Sequence, residues 1–146
     1  MMYDRAKLRE LLEIVESAGL DYPADFKRAD IDDLAVCCNG IGADWMTESS
    51  RRKLTAMMSY AEAAAMIHDF EYTHSNASEK WRAKVDERFL MNALREIRYK
   101  FKWWQPKRWL AERAVLIGYC VLQRVGRAVW AIAFCERYKN KRKGLI

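Results

Sequence analysis

One histidine and three oxygen-bearing side chains carry the chemistry that this sequence offers. In Tyr60-Ala-Glu-Ala-Ala-Ala-Met-Ile-His68-Asp69-Phe-Glu-Tyr72, the alanine content and the lack of Gly and Pro predict a helix. Residues three and four apart share a helix face, so Ala61, Ala65, His68, Asp69 and Tyr72 fall close together. An imidazole and a carboxylate are thereby offered on a wall of small apolar residues, with a phenol one turn on. Such a group suits general acid–base work. A histidine on an apolar helix face also serves as an ordinary core residue, and both readings stand at this point.

The helix expected from Glu79 to about Lys102 adds a second acid. Its apolar stripe runs Val85, Phe89, Leu90, Ala93, Leu94, Ile97 and Phe101. Asp86 falls inside that stripe, away from the charged face of Lys84, Glu87, Arg88 and Arg95. A carboxylate turned into a core costs several kcal/mol unless compensated. His68, on the preceding antiparallel helix, is the best candidate partner; the alternative is an Asp86 at the rim of the core paired with an arginine.

Other elements must hold this pair. Leu8, Leu11, Leu12 and Val15 give the segment Asp4 to Ser17 a helical apolar face, with Gly19 as its stop. Asp21 to Asp33 reads as loop plus a short helical turn begun at Asp30. Cys37-Cys-Asn39-Gly40-Ile41-Gly42-Ala-Asp44-Trp45 is a glycine-rich loop, able to turn carbonyls toward a cation or amides toward an anion. It is neither a P-loop nor a dinucleotide fingerprint. Thr47 to Tyr60 reads as a further helix, and Asn76 with Glu79 as a capping box. His74 falls in a polar, exposed loop. Pro106 breaks the chain after Trp103-Trp104-Gln105. A C-terminal helix over 107–138 follows, with a flexible basic tail over 139–146. Its apolar runs are interrupted by Gln123-Arg-Val-Gly-Arg127, so neither reaches the ~18 residues of a bilayer span.

The whole reads as a single all-α domain over 1–146. Of 146 residues, 51% are hydrophobic, which excludes a disordered chain. The net charge of +6 favours anionic partners. Nucleic acid is not expected among them, because no reader motif is present. The four cysteines lack a CxxC pair and read as thiols, not as a zinc site or disulfide scaffold. No apolar segment at the N-terminus resembles a secretory signal.

A glycine-rich loop, His68-Asp69-x-x-Tyr72 and Val85-Asp86-x-x-Phe89 occur in that order. The trio resembles the phospholipase A2 superfamily, and within it the small phage- and prophage-encoded proteins with an NGCGP-type loop, an IHDxxY helix and an ADxxFLxNM helix. Here the three read Cys-Asn-Gly-Ile-Gly-Ala, Ile-His-Asp-Phe-Glu-Tyr and Val-Asp-Glu-Arg-Phe-Leu-Met-Asn-Ala, and the resemblance covers about 36–98. The loop lacks the Gly-Pro step of the viral pattern.

The resemblance implies two antiparallel core helices carrying a His-Asp dyad, flanked by N- and C-terminal helices. It implies His68 as general base, Asp86 as the residue orienting it and Tyr72 as a hydrogen-bond donor to Asp86. Asp69, with carbonyl oxygens at Gly40 and Gly42, is implied as the ligand set of a calcium ion. The expected activity is calcium-dependent phospholipid ester hydrolysis at a membrane surface. The expected origin is a phage or prophage, with association to a virion and its proteins. The alternative is a non-catalytic phage structural or assembly protein on the same scaffold.

Overall fold

A computed structural model describes residues 3–38, 49, 56, 59–74 and 78–142, with the backbone alone for 125–142. Among the described residues the elements are all helical: α1 (Arg5–Ser17), α2 (Ala24–Arg28), α3 (Ile31–Cys37), α4 (Glu62–Thr73), α5 (Glu79–Lys100) and α6 (Pro106–Arg142). The expected all-α class holds. The glycine-rich loop from Asn39 and the helix expected over Thr47–Tyr60 fall outside the described residues, apart from Ser49, Ala56 and Ser59–Tyr60.

Local chemistry sets most of the helix ends. Asp4 caps α1 by accepting from the Lys7 amide at 2.7 Å. At the other end Gly19 adopts a φ of 61°, a conformation open to glycine at little cost. This lets the Leu20 and Gly19 amides reach back to Val15 and Glu16 carbonyls, and Leu20 then packs in the same core as Val15. Asp30 and Asp33 form a capping box that starts α3, as the sequence suggested, while α2 forms inside a stretch expected to be mostly loop. α5 is capped by Ser78, which accepts from the Trp81 amide at 3.1 Å. The expected Asn76–Glu79 box is therefore corrected at Glu79, which is the first helical residue and whose carboxylate holds Arg82; Asn76 lies outside the described residues.

The α5–α6 break is built by Gln105. Its side-chain oxygen accepts from the Lys102 amide at 2.7 Å and its carbonyl from Arg108 at 3.0 Å, with Pro106 as the first residue of α6. The backbone stays helical to Arg142, four residues beyond the expected end at 138, so Lys139–Arg142 do not form a loose tail. No helix among the described residues is long and apolar enough to cross a membrane.

α4 lies between two cores. One side packs through Ala63, Met66, Ile67 and Phe70 against Leu8, Leu11, Val15, Phe26 and Leu34 of α1–α3. The other packs through Ala64 and Ala65 against Phe89, Ala93 and Ile97 of α5 and Ala111 and Val115 of α6. Burial on both sides explains why the run Ala63–Ile67 is apolar all round. Its alanines let α5 approach closely, which brings opposing side chains within hydrogen-bond reach.

Candidate active site

The start of α4 fixes its position against α5. Ala61, at the N-cap, has no side chain to offer the free amides of the first turn. Glu96 of α5 fills that role from outside the helix, accepting from the Ala64 amide at 2.9 Å and the Ala63 amide at 3.3 Å. Glu96 is wholly buried, and Lys100 balances it at 2.6 Å. A buried negative charge at a helix N-terminus meets both the unpaired amides and the helix dipole.

Two turns further along α4, His68 meets Asp86. The His68 Nε2 lies 3.1 Å from Asp86 Oδ1, and the Tyr72 hydroxyl donates to the same oxygen at 2.6 Å. Asp86 is wholly buried and the His68 side chain is 12% exposed. The imidazole sits between the Tyr72 and Phe89 rings, at centroid distances of 4.2 and 4.9 Å. The inward acid and the histidine thus meet, as the spacing suggested.

The arginine alternative is realised on the same carboxylate. Arg82, one turn earlier on α5 and 1% exposed, donates to Asp86 Oδ2. Gln123 of α6 donates to that oxygen at 3.0 Å. Glu79 holds Arg82 from behind at 2.8 and 3.0 Å. Neither Arg82 nor Gln123 was singled out as a site residue from the sequence. The signals were present: Arg82 stands four residues before Asp86, and Gln123 interrupts an apolar run.

Four groups therefore surround one carboxylate. Asp86 accepts from Arg82, Gln123 and Tyr72, and an imidazole that joins them does so by donating Nε2–H. The proton on Nε2 leaves Nδ1 as the lone-pair nitrogen. Its nearest acid is Asp69, whose Oδ1 is 4.0 Å away, beyond a hydrogen bond. Burial pulls the His68 pKa down, but Asp69 and Asp86 together outweigh it and the net shift is upward. Desolvation raises the Asp69 carboxyl against the pull of His68. Burial, then Asp86, raises the Tyr72 phenol, which stays a donor at neutral pH.

Among the described residues no three His, Cys, Asp or Glu side chains gather as a metal-binding group. The expected calcium set differs in kind, being one carboxylate plus loop carbonyls, and Gly40 and Gly42 lie outside the described residues. The entry to that loop is fixed beside α4, since Cys38 is buried and donates from Sγ to the Met66 carbonyl at 3.5 Å. Burial first, and then the charge of Asp69, raises the Cys38 thiol pKa.

Comparison of the chain with protein-family models, curated proteins and solved structures finds no match.

Proposed function

We propose that the chain is a calcium-dependent, phospholipase A2-like ester hydrolase acting on phospholipids and encoded by a phage or prophage. The observation that supports this reading is the His68 environment: Nε2 lies 3.1 Å from buried Asp86, and Nδ1 faces the Asp69 carboxylate at 4.0 Å. In this reading Nδ1 takes the proton from a water attacking the ester carbonyl. Asp86 holds the ring and stabilises the imidazolium that forms, and Tyr72 fixes Asp86. Such a base contributes about 10²–10⁴-fold. Asp69, with Gly40 and Gly42 carbonyls, would hold calcium, which supplies polarisation of the carbonyl and stabilisation of the developing oxyanion.

The membrane partner is supported by the turn between α5 and α6. Trp103 and Trp104 are 70% and 59% exposed, and the Lys102 ammonium lies 5.1 Å from the Trp104 ring centroid. Exposed indoles beside cations suit an anionic lipid interface. Hydrolysis of a fluorogenic phospholipid with calcium, lost on chelation, is the expected result. No hydrolysis under either condition would refute the proposal.

A second reading rests on the other side of Asp86. With Arg82 and Gln123 on Oδ2, this carboxylate joins α4, α5 and α6 whether or not His68 does chemistry. The chain would then be a phage structural or assembly protein. Normal folding and particle assembly by His68→Gln, with no lipid hydrolysis by the wild type, would favour it.

A further inference from the structure

We infer that the outward face of α6 docks an acidic, amphipathic helix of another protein. α6 packs on the core through Ala111 and Val115. Its opposite face presents Trp109, Leu110, Leu116, Ile117 and Val121, each between 45% and 68% exposed. An uncovered apolar stripe of this extent is large for a monomer surface and marks an interaction site.

Charge identifies the occupant. Helical spacing puts Arg113 and Arg124, both exposed, in the middle of that apolar face. Glu112 is turned away and shared by Arg98 and Arg108 at 3.2 and 3.1 Å. The whole of α6 carries nine Lys and Arg against two Glu, a net +7, whereas the residues before Pro106 carry a net −2. The positive charge of the chain therefore resides on this helix.

A bilayer suits a helix whose charges stand opposite its apolar face, and here two guanidinium groups lie within it. A second copy would set one strongly positive helix against another. A helix with apolar residues in register and carboxylates facing the arginines satisfies both features of the surface. Arg113 and Arg124 are eleven residues apart, roughly 16 Å at the helical rise, so carboxylates at i and i+11 of the partner would meet them. Aromatic residues and arginine within an apolar patch are also the composition that dominates protein interfaces. This inference does not depend on the chemistry of His68.

The test uses the full chain and a labelled synthetic helix with Leu and Ile on one face and Glu at i and i+11, beside its Glu→Lys counterpart. The acidic peptide is expected to bind at least tenfold more tightly than the basic one, with affinity falling as salt is raised. Ile117→Glu and the double change Arg113→Glu/Arg124→Glu should each weaken binding tenfold or more at unchanged melting temperature. His68→Ala should bind the peptide like the wild type, which separates this result from the hydrolase reading. Equal binding of both peptides, or none, overturns the inference. So does adsorption to phosphatidylglycerol vesicles, or self-association by sedimentation equilibrium, that Ile117→Glu abolishes while peptide binding is absent.

Discussion

Replacing Asp86 by alanine should be among the most damaging single changes in the chain, and the reason is what it leaves behind. Arg82, 1% exposed, would lose its buried partner and keep Glu79, whose side chain is 55% exposed. Breaking a buried ion pair by removing one member costs about 3–5 kcal/mol. The retained Glu79 contact argues for the lower end of that range. The Tyr72 hydroxyl and Gln123 amide also lose an acceptor, at about 1 kcal/mol or more each where water cannot replace it. A total near 5 kcal/mol corresponds to a melting temperature lower by roughly 10–20 °C in a chain of this size. Urea unfolding followed by far-ultraviolet circular dichroism measures it directly. The double variant Asp86→Ala/Arg82→Met removes the stranded charge as well, so it should lose less than the two single changes added together, by about 2 kcal/mol or more. A loss under about 1 kcal/mol for Asp86→Ala, or an additive double variant, would refute the idea that this carboxylate joins α4, α5 and α6.

Three further outcomes follow from the same contacts. Glu96→Ala should destabilise by about 1–3 kcal/mol, because it uncaps α4 and leaves Lys100 without its buried partner; a melting temperature equal to wild type would contradict the cap. Tyr72→Phe removes a hydroxyl 2.6 Å from Asp86, and urea unfolding should show a loss of about 0.5–1.5 kcal/mol. Glu71 gives a pH test. Its carboxyl is raised mainly by burial, against Arg88, and its Oε2 has no partner among the described residues. A carboxyl raised in the folded state contributes stability that is full below its unfolded pKa and is lost as pH rises through the folded value. Glu71→Gln resembles the protonated form, so its melting temperature should exceed wild type at pH 7 and converge with it near pH 4. A variant less stable than wild type by the same margin at both pH values would show the sign to be wrong.

The helical class was legible because alanine content, periodicity and stop signals such as Gly19 act locally. The His68–Asp86 contact was legible for a related reason. Period alone put Asp86 on the buried face of α5, and few partners were within reach. Glu96 was not, because its role is tertiary: it caps a helix 32 residues away, and the only trace in the sequence is Ala61 where a capping side chain should stand. Arg82 and Gln123 are not legible as site residues, since arginine and glutamine usually face water, and here a buried carboxylate reverses that preference. The α5 cap moved from Asn76 to Ser78 because two polar residues competed and only backbone geometry decides between them. The loop at Gly40 and Gly42, on which the calcium expectation rests, lies outside the described residues.

Hydrolysis of a fluorogenic phospholipid by His68→Ala beside the wild type, at saturating calcium, tests the role of the Nδ1 lone pair most directly. A rate lower by at least about 10²-fold is expected, with the variant still folded by circular dichroism. A rate equal to wild type would show that His68 is not the base.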